Sequence, residues 1–402
     1  MTHPTTKRVF ISTGEVSGDL QGALLIEALQ QRARDRHLTL DITALGGPRM
    51  AKAGATLVGE TTGIGSVGIF EALPYLLPTL RLQRQAKRAL DANPPDVAVL
   101  IDYMSPNLAM GDYLKTHHPQ VPVMYYIAPQ QWVWSFSEND TRKLVQCSDR
   151  MLAIFKAEAD YYQRYGANTT WVGHPLVDRY PTPADQSAAR QRLGLDLDAP
   201  VVTLLPASRQ QEVKYLMPVL LKAAQIIQAQ CPGVTFLMPV SIAALQASFE
   251  AGLSQYGLNG RVIADDSQVA IAAADVAITK SGTANLEIAL MDVPQVVAYR
   301  IHPLSARIGY YLLKFDAPYV SPVNLVVDQT IVPEFLQWEA TPAAIAAAAL
   351  ELLHNEAARQ TMRAGYAKMR EELGPPGVCL RTADLILDAL VNGQPAGAMG
   401  DR

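Results

Sequence analysis

The sequence predicts an α/β protein of two doubly wound, Rossmann-like domains with an interdomain cleft. Three observations carry that expectation. Short apolar runs alternate with helix-length stretches along the whole chain. The runs are mostly continuous rather than period-two, as suits strands of a parallel sheet covered by helices on both faces. The alternation also pauses once, near residue 180, and then begins again.

In the first half, Val9–Ser12, Asp41–Leu45, Val97–Ile101, Val121–Ile127 and Met151–Phe155 read as strands. Helical stretches such as Gly22–Arg34 and Tyr75–Asp91 lie between several of them. Val172-Gly-His-Pro-Leu-Val-Asp178 and the Pro/Ala/Asp-rich stretch 181–186 read as the linker. The second set of strands is Val201–Leu205, Thr235–Met238, Arg261–Ile263, Val276–Ile278 and Gln295–Tyr299. A last helix, about Arg381–Val391, has two places open to it: back on the first domain, or against another chain as part of a homodimer. The tail 392–402 is rich in Gly, Pro and Ala and reads as disordered. The expected division is thus residues 1–178, 179–375, and a returning C-terminal segment 376–402. Ligands of such sheets bind beyond the C-terminal strand ends, which makes the cleft the expected site.

Composition narrows the function class. Of 402 residues, 49% are apolar and 18% charged, with a net charge of −4, so nucleic acid is not the expected partner. Cys147, Cys231 and Cys379 are too widely spaced for a metal site or a disulfide framework, and read as packing residues of a cytoplasmic protein. No metal cofactor is expected: there is no zinc spacing and no Asp-x-Asp pair. The opening residues lead into an apolar run too short for a signal-peptide core, and no run reaches the roughly 18–20 residues that span a bilayer.

The richest stretch is Lys280-Ser-Gly-Thr-Ala-Asn-Leu-Glu287. It follows an apolar strand and opens a helix, so Ser281, Gly282 and Thr283 fall where backbone N–H groups and the helix dipole favour phosphate. Glu287, one turn on, is placed to accept from ribose hydroxyls. Leu204-Leu-Pro-Ala-Ser-Arg209 opens the second half in the same strand-to-loop manner, with Ser208 and Arg209 where a diphosphate would lie and Glu212 placed to orient the arginine. A solvated surface arginine is the plainer alternative.

In the first half, Ser12-Thr-Gly-Glu-Val-Ser-Gly-Asp19 is also a strand-to-helix turn, but Glu15 and Asp19 would repel a pyrophosphate and suit a hydroxyl-rich sugar. Asp19 as a cap of the following helix is the alternative. Asp102 directly follows a strand, facing the C-terminal edge, where it could take a proton from a hydroxyl nucleophile with Asn107 helping to position it. A turn-forming Asp is equally open. His174 reads as a structural hinge residue. Residues 63–88 combine an apolar, Gly-rich stretch with Arg81, Arg84, Lys87 and Arg88. That pattern suits an anionic membrane surface or, more plainly, a helix with a charged outer face.

Taken in order, these motifs resemble the lipid-A-disaccharide synthase family, metal-independent inverting glycosyltransferases of the GT-B fold. The likeness covers about residues 8–390. It rests on Gly14–Asp19, Gly47-Pro-Arg-Met50, Gly68-Ile-Phe-Glu71, Ile101-Asp102, the Pro129–Trp134 stretch with Arg142, Leu205–Arg209, Ser281–Glu287, and Asn324 with Pro333–Gln337. The resemblance implies transfer of 2,3-diacylglucosamine from its UDP donor to 2,3-diacylglucosamine 1-phosphate, at the inner membrane surface. It implies Asp102 as general base and Arg209 as stabiliser of the leaving UDP. Glu15, Ser17, Asp19, Glu71 and Asn107 fall on the acceptor side. Ser208, Arg209, Glu212, Ser281, Gly282, Thr283, Glu287, Asn324 and Gln337 fall on the donor side.

The chain departs from the family's usual pattern at Ser105, Pro106, Ala207, the Gln130-Gln131 pair and Lys280. Two other readings stay open: a different UDP-sugar enzyme of the same fold, such as an N-acetylglucosaminyltransferase or an epimerase, and a non-catalytic sugar-nucleotide-binding protein.

Overall fold

The structure, a computed structural model, describes residues 6–62, 75–133, 135, 137–208, 210–240, 242–264, 266–307 and 318–392. Its chain forms two compact units. One holds the described residues up to Asp178 together with those from Leu373 onward; the other is Arg179–Glu372.

The first unit has a seven-stranded sheet: β1 (Thr6–Thr13), β2 (Thr39–Gly46), β3 (Thr56–Glu60), β4 (Val97–Ile101), β5 (Val123–Tyr126), β6 (Arg150–Ala153) and β7 (Thr169–Trp171). Their spatial order is β3-β2-β1-β4-β5-β6-β7, and every pairing is parallel. The second unit repeats the winding with β8 (Val201–Leu205), β9 (Thr235–Pro239), β10 (Gly260–Ile263), β11 (Val276–Lys280), β12 (Gln295–Tyr299) and β13 (Glu334–Leu336), in the order β10-β9-β8-β11-β12-β13. Each sheet therefore starts at its middle, winds to one edge, returns and winds to the other. The reversal falls between β1 and β4 in one unit and between β8 and β11 in the other, and there the loops diverge to opposite faces.

Central strands are the most apolar and most enclosed. Every residue of Val97-Ala-Val-Leu-Ile101 is fully buried, and β4 has the bounds expected from sequence, as do β8 and β12. Strands β3, β7 and β13 were not expected. All three are sheet edges, half-exposed and three to five residues long, too short and too polar to stand out as apolar runs.

Two helices begin earlier than the sequence suggests. The first runs Glu15–Asp35, so Ser17 and Asp19 lie on its opening turns rather than in a loop. The last runs Val378–Asn392 and packs on Glu15–Asp35 of the same chain. The Asp178 carboxylate fixes its start by accepting from the backbone N–H groups of Gly377 (2.6 Å), Val378 (3.1 Å) and Cys379 (2.7 Å). Arg32 and Arg36 then reach Asp384 at 2.7 and 2.8 Å. Those partly exposed pairs add little to stability, whereas the Asp178 cap satisfies three donors at once. Asp178→Ala should lower unfolding free energy by about 1–3 kcal/mol, read by thermal and denaturant unfolding. An unchanged midpoint would show that the cap does not hold this helix.

Candidate active site

At the first reversal the chain adopts a costly backbone. Asp102 and Tyr103 have φ of 47° and 49°, and Ile127, just past β5, has φ of 58°. Asp tolerates this left-handed region, but a β-branched residue there is strained. The neighbours that hold it are specific. The Asp102 N–H donates to the Ile127 carbonyl at 2.9 Å. The Asp102 carbonyl accepts from Asn107 Nδ2 and from the Tyr125 hydroxyl, both at 2.8 Å. Asn107 Nδ2 also donates to the Ile101 carbonyl (3.0 Å), and its Oδ1 accepts from the Ser12 hydroxyl (2.7 Å). Asn107 is fully buried, so it does not line an open surface: it positions Asp102 through the backbone carbonyl and ties β1 to β4. Gly14 completes the turn, because a Cβ there would lie 2.3 Å from the Tyr103 ring.

Asp19 is buried, and its carboxylate accepts from the N–H groups of Arg49 (3.1 Å) and Met50 (3.0 Å). It does cap a helix, but the short helix Pro48–Lys52 rather than its own. Ser17 is half-buried on the same first turns. Glu71 and the side chain of Glu15 lie outside the described residues, as do residues 63–74, Trp134 and the tail 393–402.

Glu158 was not singled out from sequence. It lies on the helix Lys156–Arg164, fully enclosed, and its carboxylate accepts from Ala128 (2.9 Å), Ile154 (2.9 Å) and Phe155 (3.2 Å) N–H groups. Those donors sit on the loops after β5 and β6, next to strained Ile127. The signal was present: a Glu three residues past a helix start is half of a capping box. His174 is buried with Nδ1 accepting from the Leu176 N–H at 3.2 Å, a structural contact.

The second reversal collects most donor-side expectations. Ser208, in the turn after β8, donates its N–H to Glu212 at 2.6 Å, and Glu212 is fully buried. Lys280, the last residue of β11, places Nζ 3.5 Å from the other Glu212 oxygen. Gly282, at φ 146°, begins the helix Thr283–Leu290, with its N–H held by Asn285 Oδ1 at 3.0 Å. The Ser281 hydroxyl donates to the Val320 carbonyl at 2.7 Å. Glu287 is half-buried and accepts from the Tyr180 hydroxyl at 3.1 Å, a positioning contact the sequence did not suggest. Thr283 is half-buried at the helix start. Arg209 lies outside the described residues.

One expected donor-side side chain, that of Asn324, is engaged by the protein itself. Asn324 is fully buried; its Oδ1 accepts from Ile331 and Val332 N–H groups (2.7 and 2.9 Å), and its Nδ2 donates to Glu334 Oε1 (2.6 Å) and the Val332 carbonyl (2.8 Å). Its role here is to shape the loop before β13. Gln337, at φ 50°, is tied through its backbone: its N–H donates to the Tyr299 carbonyl (2.9 Å) and its own carbonyl accepts from Arg300 Nε (2.8 Å).

The family model described as lipid-A-disaccharide synthetase matches residues 9–387. A lipid-A-disaccharide synthase from Gloeothece citriformis is 51% identical, over 95% of this chain and 99% of that protein. Among solved structures, the S. aureus MnaA–UDP co-structure matches with a TM-score of 0.66 at 13% identity, covering 96% of this chain and 98% of that one. The calicheamicin glycosyltransferase CalG4 matches with a TM-score of 0.56 at 16% identity, covering 98% and 99%. Those two share the fold.

The Glu158 cluster predicts a pH effect on stability. Burial pushes its carboxyl up to about 7, against three N–H donors that favour the charged form. A raised folded-state value means this group's stabilising contribution is complete below its ordinary value of 4.5 and is lost as pH rises through about 7. Relative to Glu158→Gln, the wild-type protein should lose on the order of 2–3 kcal/mol between pH 4.5 and 8 in unfolding experiments. A pH-independent difference would contradict the assignment.

Proposed function

The chain belongs to the lipid-A-disaccharide synthetase family, and from that premise we propose how its two strand-order reversals divide the work of an inverting glycosyltransferase. The donor is UDP-2,3-diacylglucosamine and the acceptor 2,3-diacylglucosamine 1-phosphate. The observation that carries the division is the position of the residues: Asp102 stands at the β1/β4 reversal, and Ser208, Ser281, Gly282, Thr283 and Glu287 stand at the β8/β11 reversal.

In this reading the acceptor 6-hydroxyl oxygen attacks the donor's anomeric carbon. Its proton passes to the Asp102 carboxylate. The bond from that carbon to the UDP oxygen breaks, and the electron pair leaves on the diphosphate. One displacement inverts the carbon, so one base suffices and no second carboxylate nucleophile is needed. The left-handed backbone at Asp102, fixed by Asn107 and Tyr125, sets where the base stands. The helix start at Ser281–Thr283 and Arg209 stabilise charge on the departing UDP, while Glu287, steadied by Tyr180, accepts from the ribose. Glu15, Ser17 and Glu71 are assigned to the acceptor; Asp19 supports them by holding the turn Gly47–Met50.

Both substrates carry acyl chains, and we assign their point of contact to the helix Leu76–Ala92. Leu76, Leu77 and Leu80 are 57, 65 and 40% exposed, next to exposed Arg81, Arg84 and Arg88. Apolar tips beside cations suit an anionic lipid surface. Among the described residues no helix is long and apolar enough to cross a membrane, so contact would be peripheral.

Incubation of both substrates without added metal, with lipid mass and UDP release as readouts, tests the reaction. The expected product is the β-1,6-linked disaccharide 1-phosphate, formed only with acceptor present. Asp102→Asn should lower kcat roughly a hundred- to ten-thousand-fold while UDP affinity holds. An Asp102→Asn enzyme as active as wild type would remove Asp102 as the base.

A further inference from the structure

The departure at Lys280 has a structural setting that the donor assignments above leave unused. Lys280 ends β11 directly at the reversal, following Val276–Thr279, which are all buried. Its side chain does not extend into solvent. It is 13% exposed, and Nζ lies 3.4 Å from the Ser281 carbonyl and 3.5 Å from Glu212 Oε1. It also lies 3.2 Å from where a Cβ on Gly282 would stand. The ammonium is therefore folded back over the turn that opens the helix Thr283–Leu290, and Gly282 leaves the room for it.

Glu212 explains how a cation is kept in so enclosed a place. Its carboxylate, 0% exposed, spends one oxygen on the Ser208 N–H at 2.6 Å and faces Lys280 with the other. One buried carboxylate thus joins the turn after β8 to the cation at the end of β11, the two strands between which the sheet reverses. A buried charge without a partner would be costly, and this pairing offsets that cost. It also fixes the ammonium beside a helix N-terminus, so two positive features converge on one spot.

We propose that Lys280 is a further catalytic residue, donating from its ammonium to a diphosphate oxygen of the UDP leaving group, with Glu212 as its positioning residue. This rests on the donor reading above and adds a cation to it. Departure of UDP places negative charge on the diphosphate oxygens, and a preorganised ammonium stabilises that charge without reorganisation during the step. The competing role for Lys280 is purely structural, as counter-charge to Glu212.

Binding of UDP and of uridine separates the two roles, because uridine shares the base and ribose but has no phosphate. Calorimetric titrations would compare the wild-type protein with Lys280→Met, Lys280→Gln and Lys280→Arg, each checked for cooperative thermal unfolding. The expected result is UDP affinity about tenfold weaker in the Met and Gln variants, the loss of one charge-assisted hydrogen bond. Uridine affinity should stay within about twofold, the salt dependence of UDP binding should flatten, and Arg should restore most of the loss. Unchanged UDP affinity, or equal losses for UDP and uridine, would overturn the proposal. Absence of UDP binding by the folded wild-type protein would instead strike the donor reading itself, and this proposal with it.

Discussion

The constraint on which everything else rests is the reversal of strand order beside the first strand of each sheet. A doubly wound parallel sheet must turn back somewhere, and at that point neighbouring strands send their loops to opposite faces. Backbone polar groups at the carboxyl edge are left without sheet partners there, so the chain has to supply them or a ligand must. In this protein both reversals are finished by small residues, one carboxylate and a helix start. The first uses Gly14, Asp102 and the helix Glu15–Asp35; the second uses Ser208, Gly282, Glu212 and the helix Thr283–Leu290.

The two reversals are held by different means. At the first, neutral hydrogen bonds from Asn107 and Tyr125 converge on the backbone carbonyl of Asp102, whose backbone is left-handed. The enclosed Glu158 carboxylate reinforces the adjacent loops after β5 and β6. At the second, one buried ion pair spans the turn: Glu212 binds the Ser208 N–H on one side and the Lys280 ammonium on the other. Neutral bonds hold the backbone at Asp102, the residue assigned to proton transfer in the proposed mechanism. The ionic clamp keeps a positive group beside the start of the helix Thr283–Leu290.

Much of this was legible in the sequence because position after an apolar strand is itself a structural coordinate. Asp102 could be placed at a sheet edge from Val97–Ile101 alone, and Ser281–Thr283 at a helix start from the strand before it. The edge strands β3, β7 and β13 were not legible, since a short half-exposed strand has neither period nor apolar run. Roles that depend on long-range partners were hidden as well. Tyr125 reads as a core strand residue, and nothing local says that its hydroxyl reaches Asp102. Asn324 carried a motif signal, but its amide is consumed by the loop at Ile331–Glu334, a fact that only the fold reveals. Asp19 reads from sequence as a helix cap and is one, though the helix it caps lies thirty positions away in sequence.

The most direct test of the account is where UDP leaves its mark on backbone exchange. Hydrogen–deuterium exchange of the intact protein, with and without saturating UDP, would be followed across both reversals. The account predicts slowed exchange at residues 206–208 and 281–285, with the turns at residues 12–19 and 102–107 unchanged. Protection confined to the β1/β4 turns, or saturated binding with no protection at the β8/β11 turns, would contradict the division of donor and acceptor between the two reversals.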